Sequence, residues 1–214
     1  MENYKTYISN VQKQLHPELS ISSDANNNIN MILNILLINV VNQANKLMKP
    51  MNYENNGKLP QKKTLTVDEI STAVKLTLCQ APEISKNAIF EGEKVIKNFK
   101  KNMHVPGTFS QKAKLTFSVS KTRNAIRNHL LKANVSKEAP IFLTAVLEYI
   151  CAEISEVSGN ITRDRKKKVI KTLFIKLAII NDIELDELIT KSLKISLTGE
   201  MAINKKAYKP QIFL

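Results

Sequence analysis

Two sets of charged residues in this 214-residue chain are candidates for a functional site. One is the basic run "RDRKKK" at residues 163–168. The other is a set of three carboxylates, Glu148, Glu153 and Glu156, inside the apolar stretch "APIFLTAVLEYICAEISEVSGN" at residues 139–160. Lysine and arginine neutralise phosphate, whereas carboxylates transfer protons, bind basic side chains or keep a surface soluble.

The overall charge favours a polyanionic partner. The formal net charge is +13, and the basic excess is spread along the chain rather than confined to one tail. A solvated surface that binds nothing is the alternative interpretation, because charge alone does not distinguish the two.

The sequence contains no recognisable catalytic motif. His16, His104 and His129 are far apart in the chain, and no Gly-rich phosphate loop, HExxH or CxxC motif is present. We therefore expect no enzyme activity, no metal, no cofactor and no small-molecule substrate. Cys79 and Cys151 lie in apolar helical patterns, which favours buried free thiols over a disulfide or a metal pair.

The first half of the chain shows a short, a long and a short helical pattern. Apolar residues recur at helical spacing from Tyr4 to Leu15. A long apolar segment then begins at a Ser22 or Ser23 cap and ends at Pro50. A short helix capped by Thr66 and a further helix after Pro82 follow.

The same order recurs about 117 residues later. A short helix carries Val119, Thr122, Ile126 and Leu130. A long helix is expected to start at Pro140 and stop at Gly159. A last short helix has its apolar stripe at Leu173, Leu177 and Ile180.

Both long segments are apolar on nearly every side, so each must be buried all round. A three-helix unit of this size cannot cover its own central helix, but two such units can clasp each other. A membrane span at 140–158 is excluded because its glutamates would lie unpaired in hydrocarbon. The pattern predicts an all-α protein made of two clasped units and no membrane association.

The amino-acid sequences of both halves resemble those of core histones. In residues 4–99, "YISNVQKQLHPELSISS", "TLTVDEISTAVKLTL" and "PEISKNAIFEGEKVIKNF" resemble histone 2B. In residues 113–200, the stretch from "AKLTFSVSKTRNAIRNHLL" through "LTAVLEYICAEISEVSGNITRDRKKK" and then "KLAIINDIELDELI" resembles histone 2A. A 2B-like half fused to a 2A-like half looks like the histone doublets of large DNA viruses of the Marseillevirus type.

This resemblance implies two histone folds in one chain, forming an intramolecular handshake pseudo-dimer. Residues 1–100 would be the 2B-like fold with its additional C-terminal helix, and 101–117 a connector. Residues 118–200 would be the 2A-like fold and 201–214 a C-terminal docking tail.

The function implied is structural: packaging of double-stranded DNA into nucleosome-like particles through sequence-independent phosphate contacts. The implied partners are a histone three/four-like doublet or tetramer and a second copy of this chain. The implied locations are the virion, the viral replication compartment and the chromatin of the host nucleus. A histone-fold regulator that binds DNA or protein is the alternative, and a defined DNA sequence preference would favour it.

The residues that match the family's phosphate-binding positions lie in loops and at the starts of helices. They are Ser23, Lys62, Lys63, Thr64, Lys121, Arg123, Arg127, Lys166, Lys167 and Lys168. Only four arginines occur in the chain, and Asn124, Asn134 and Val169 stand where the family has arginine. Because lysine is strongly hydrated and lacks the planar fork, we expect looser and more salt-sensitive wrapping than in a cellular nucleosome.

The resemblance also assigns the carboxylates to a protein-docking acidic patch. Its members would share one exposed edge, on which arginine anchors or a basic histone tail would bind. They are Glu83, Glu91, Glu148, Glu153, Glu156, Asp182 and Glu184. One family acid is replaced by Ile183, which weakens the patch.

Overall fold

The computed structural model describes residues 2–48, 64–129 and 133–197. Helices account for most of these residues, and the strands are four two-residue segments. The all-α prediction is confirmed.

The first half has the expected short–long–short order. Its elements are α1 (Lys5–Leu15), β1 (Ser20–Ile21), α2 (Ser23–Leu47), β2 (Thr64–Leu65), α3 (Val67–Thr77) and α4 (Pro82–Lys101).

The second half repeats this order and adds a short helix at each end. Its elements are α5 (Phe109–Ala113), α6 (Val119–His129), β3 (Asn134–Val135), α7 (Glu138–Asp164), β4 (Val169–Ile170), α8 (Thr172–Asn181), α9 (Ile183–Asp186) and a π-helical segment, Glu187–Ser192.

Local side chains set the starts of several helices. Ser22 is the N-cap of α2, and its hydroxyl accepts the Ala25 N–H at 3.3 Å. At the start of α3, a carboxylate oxygen of Glu69 accepts from the Thr66 N–H at 2.9 Å and from the Thr66 hydroxyl at 2.6 Å. Such bonds satisfy N–H groups that have no partner inside the helix. The predicted cap at Thr66 is confirmed.

The two long helices form the centre of one continuous apolar core. Most residues of α2 and α7 are buried, and the core continues into α1, α3, α4, α6 and α8. This burial on every side is what the nearly uniform hydrophobicity of both segments predicts.

Two parallel strand pairs join the halves head to tail. β1 pairs with β4, with Ser20 opposite Val169, and β2 pairs with β3, with Thr64 opposite Asn134. Each pair therefore links the loop before one long helix to the loop after the other. The two pairs lie at opposite ends of α7, which at 27 residues is about 40 Å long.

The predicted limits of α7 are wrong at both ends. The helix begins at Glu138, two residues before Pro140, and it continues through Gly159 to Asp164. Gly159 has a packing role instead, because a Cβ there would overlap the ring of His16. Its missing side chain lets α7 and the end of α1 approach closely.

The predicted apolar stripe of α8 is also wrong. Leu173 and Ile180 are each 60% exposed. The buried side chains are those of Phe174, Ile175, Ala178 and Ile179. Because α8 is apolar on most of its surface, its periodicity does not identify the side that faces the core.

The segment between the halves folds back onto α4. The Phe109 ring meets the Phe99 ring edge to face, with centroids 5.5 Å apart. The Asn102 side-chain amide donates to the Lys112 carbonyl at 3.1 Å, and Lys112 Nζ donates to the Met103 carbonyl at 3.0 Å. The connector is thus attached to the first half at several points.

The two cysteines differ from each other. Cys151 is fully buried, and this burial raises the pKa of its thiol to about 12. Cys79 is exposed, so the prediction that both thiols are buried is wrong for Cys79. Both are free.

None of the helices in the described ranges has the length and hydrophobicity needed to cross a membrane.

Candidate nucleic-acid interface and acidic surface

One end of the molecule places the basic run beside the start of α2. Lys166, Lys167 and Lys168 are exposed and follow the end of α7. The Lys168 carbonyl accepts the Ser20 N–H at 2.9 Å, which fixes this loop against β1. Ser23, the first residue of α2, is exposed at the same end. Cations, a hydroxyl and a helix N-terminus are combined here, as phosphate binding requires.

At the opposite end of the molecule, fewer of the predicted DNA-binding residues fall within the described ranges. Thr64 begins β2 and pairs with Asn134 of β3. Arg127 is exposed in the last turn of α6, which precedes β3. Lys62 and Lys63 lie outside the described residues.

The N-terminal ends of α1 and α6 meet between these two loop pairs. The Tyr4 hydroxyl is 3.1 Å from Thr122 Oγ1, and the Tyr4 ring stacks on Phe117 with centroids 5.4 Å apart. Burial raises the pKa of Tyr4, so its hydroxyl stays neutral and serves as a packing group with one hydrogen bond.

Two predicted DNA contacts in this central region are partly engaged inside the protein. Lys121 Nζ donates to the Asn3 carbonyl at 2.7 Å and lies 5.6 Å from the centroid of the Tyr7 ring. The Arg123 guanidinium lies 6.0 Å from the centroid of the Phe109 ring. Both side chains are half-buried, so only part of each cation faces solvent.

Lys171 is an exposed cation that the sequence-based assignment missed. In and after β4, Val169 is exposed, Ile170 is buried and Lys171 is exposed, as expected for side chains that alternate across a strand. Lys171 therefore projects on the same side as Val169, where the family carries arginine. This alternation was the signal that could have identified it.

Arg163 has an internal role despite its place in the basic run. Its Nη2 is 2.7 Å from His16 Nδ1, and its Nε is 3.4 Å from a carboxylate oxygen of Glu18. Since arginine only donates, His16 Nδ1 accepts, and Nε2 carries the proton toward the Glu156 carbonyl at 3.2 Å. Arg163 thus links the end of α7 to the loop after α1.

Tyr149 of α7 lies within the electrostatic influence of Glu153 on its own helix and of Glu91 on α4. Desolvation by burial, and then the Glu153 carboxylate, raises the pKa of Tyr149. Glu91 also forms an ion pair with Lys94 at 2.9 Å.

A second acidic contact connects α4 to α9. Glu184 accepts the N–H groups of Glu83 and Ile84, both at 3.2 Å, and so caps the start of α4. Asp182 accepts the Leu185 N–H at 3.0 Å and caps α9. Both acids therefore organise helix starts as well as contributing charge.

Glu148 is turned inward, unlike Glu156 of the same helix. Its carboxylate accepts the Phe117 N–H at 2.7 Å, and burial raises its pKa. Glu156 remains exposed. The three glutamates expected on one open edge are therefore divided, with Glu148 holding the entrance to α6.

No group of three or more histidine, cysteine or carboxylate residues that could hold a metal ion occurs among the described residues. Two short–long–short helical units, paired head to tail through parallel loop strands, define the class of protein. This is a doubled histone fold in one chain.

Comparison with known proteins agrees with this class. No protein-family model matches the chain. A doublet of histones 2B and 2A from Melbournevirus is 28% identical over 212 residues, which are 97% of this chain and 74% of that protein. A histone 2A of Candida glabrata is 45% identical over 82 residues, or 38% of this chain. The chain spans 63% of the length of that histone 2A relative.

A solved structure shows the same fold. The histone of Methanopyrus kandleri superposes with a TM-score of 0.51 at 17% identity, and the match covers 84% of this chain and 93% of that one. A match of this extent includes both halves. Over nearly its whole length the chain therefore resembles a histone doublet in which a 2B-like half precedes a 2A-like half.

Proposed function

We propose that this doublet packages double-stranded DNA into nucleosome-like particles through sequence-independent phosphate contacts. The supporting observation is the parallel pairing of loops from opposite halves. It brings the run Lys166, Lys167 and Lys168 against Ser20 and β1, and Thr64 against Asn134. Each strand pair offers backbone and side-chain donors to phosphate. The two strand pairs are separated by about the length of α7.

The particle would contain further histones. A histone three/four-like doublet or tetramer and a second copy of this chain complete the proposed assembly. Its proposed locations are the virion, the viral replication compartment and the chromatin of the host nucleus. The acids Glu83, Glu91, Glu153, Glu156, Asp182 and Glu184 form the proposed docking surface for arginine anchors or basic tails.

Reconstitution with a histone three/four-like partner and random-sequence DNA tests this function. Nuclease digestion should leave a protected fragment of regular length, whereas uniform digestion would contradict packaging. A marked preference for one DNA sequence would instead support the regulator alternative.

Charge variants test which residues contact DNA. Replacing Lys166, Lys167 and Lys168 with glutamine should reduce the slope of log affinity against log salt by about 3, since each phosphate contact contributes about 0.9. The control replaces Lys86, Lys97 and Lys101 of α4 with glutamine and removes the same charge from exposed positions on that helix. Equal slope changes in both triple variants would contradict a specific role for the loop.

The expected looser wrapping is tested on the reconstituted particle. A particle as salt-resistant as a cellular nucleosome would contradict it.

A further inference from the structure

An unpartnered apolar face lies along α8 and the start of α9. Leu173 and Ile180 are each 60% exposed, and Ile183 is 78% exposed. Leu173 and Ile180 are seven residues apart in one helix and therefore lie on the same side. Single exposed aliphatic residues are common, but Ile183 follows Ile180 by only three residues, so the three together are a candidate binding surface. We call Leu173, Ile180 and Ile183 the α8 face.

The C-terminal end of the α8 face is acidic. Residues 182–187 contain four acids and no base, within a chain of net charge +13. The acids have internal roles: Glu187 pairs with Lys191 at 2.7 Å, and Asp182 and Glu184 accept helix N–H groups. Lys191 offsets one of the four negative charges, so residues 182–191 keep a net charge of −3 (four acids and one lysine) next to Ile183 in the chain. A ligand of this face should therefore be both apolar and basic.

The chain itself contains a segment with this chemistry. Residues 201–214, "MAINKKAYKPQIFL", carry three lysines and no acid. Their apolar side chains are Met201, Ile203, Tyr208, Ile212, Phe213 and Leu214.

A second exposed apolar site fits this segment less well. The cleft beside Leu76 and Cys79 is also lined by Lys46, Lys191 and Lys194. Lys191 is paired with Glu187, but Lys46 and Lys194 would still meet the three lysines of the segment there, and none of the lining residues is acidic. Like charges repel. Charge therefore favours the α8 face as the site for residues 201–214.

The connection is long enough for docking within one chain. The Ile195 N–H donates to the Ile189 carbonyl at 2.9 Å, so the chain turns back along its last helical segment. Ile183 and Ile189 are six helical residues apart, or about 9 Å, which leaves Leu197 within roughly 20 Å of Ile183. The 14 residues 201–214 span up to about 46 Å when extended.

We propose that residues 201–214 dock on the α8 face of their own chain. The lysines lie toward the acids of residues 182–187, and the apolar side chains cover Leu173, Ile180 and Ile183. The docked segment competes with basic ligands for the acids nearest Ile183. This proposal does not depend on DNA packaging, since it concerns the free doublet.

A tryptophan reporter tests the contact, because the chain contains no tryptophan. In full-length Phe213→Trp, docking should shift the emission to shorter wavelength. It should also make acrylamide quenching about twofold weaker than for free tryptophan, since a docked indole loses roughly half of its solvent contact. Adding Ile180→Lys and Ile183→Lys should restore the emission and quenching of an exposed indole.

The matched control adds Leu47→Lys and Leu76→Lys, which place the same two charges at other exposed leucines. It should leave the reporter unchanged, and circular dichroism should show equal helix content in all variants. Three results would overturn the proposal: an exposed reporter in the parent chain, equal effects of the two lysine pairs, or a blue shift that depends on protein concentration. The last result would place the segment on a second copy.

Discussion

The contact between His16 and Gly159 joins the two halves at the level of single residues. The imidazole occupies the space that a side chain at Gly159 would fill, and it hydrogen-bonds to Arg163 and to the Glu156 carbonyl. His16 is only 3% exposed, so these bonds satisfy a buried polar ring. A histidine without a catalytic partner thus has a clear structural role.

Gly159→Ala should destabilise the protein by about 2–3 kcal/mol, because overpacking displaces the His16 ring and its hydrogen bonds. Urea unfolding followed by circular dichroism measures this cost. His16→Ala should itself be destabilising, but the double variant should be clearly less destabilised than the sum of the two. Asn160→Ala, one residue further along an exposed side of α7, is the control and should change stability little. Strictly additive effects would show that the two residues do not interact.

At the scale of elements, Glu148 attaches the start of α6 to the middle of α7. Its carboxyl group accepts the Phe117 N–H at the end of the connector, so this side chain of the central helix fixes the position of the second half's first helix. The raised pKa of Glu148 reflects burial, which the hydrogen bonds from Phe117 and Thr116 only partly offset.

The stability of this contact should depend on pH. A carboxyl whose pKa is raised on folding contributes most to stability below its ordinary pKa, about 4.3, and loses that contribution as the pH rises through the raised value. The free energy of unfolding, relative to Glu148→Gln, should therefore fall as the pH rises above about 4.3. Urea titrations of both proteins at a series of pH values, from below this point upward, measure it, and a constant difference would contradict the assignment. Glu148→Ala also leaves the Phe117 N–H without its acceptor and should cost about 1–3 kcal/mol.

For the whole molecule, the fusion makes an interface between histone folds part of one chain. The strand pairs β1–β4 and β2–β3 and the shared core of α2 and α7 connect the halves throughout the described residues. Neither long helix can be buried by its own half alone. The doublet should therefore fold as one cooperative unit rather than as two domains.

Unfolding should show one transition whose midpoint is independent of protein concentration, since no bimolecular step is involved. Chemical denaturation over a hundredfold range of concentration, followed by circular dichroism and by thiol reactivity, provides the measurement. Cys151 should react only as the core opens, whereas Cys79 should react in the native state. Two separate transitions, or a midpoint that rises with concentration, would contradict the single unit.

Hydrophobic pattern and capping residues were sufficient to predict the main helices and their pairing, but not the limits of α7 or the short helix α5. The uniformly apolar segments of α2 and α7 required burial on every side, which in a chain of this length leaves one clasped pair. Thr66 and Pro82 marked helix starts because their preferences act within one turn. The sequence motifs of the two halves likewise indicated the histone fold, because each motif is a short run of neighbouring residues.

Only the tertiary structure decided which way particular side chains point. Glu148 turns toward Phe117, Cys79 faces solvent, and α8 exposes Leu173 and Ile180 rather than burying them. Lys121 is held by Asn3, which is 118 residues away in the chain. The main helices and their order could be predicted because they follow from local preference and apolar content, and the basic character follows directly from the count of charged residues. The direction of each charged or apolar side chain depends on neighbours that only the folded chain brings together.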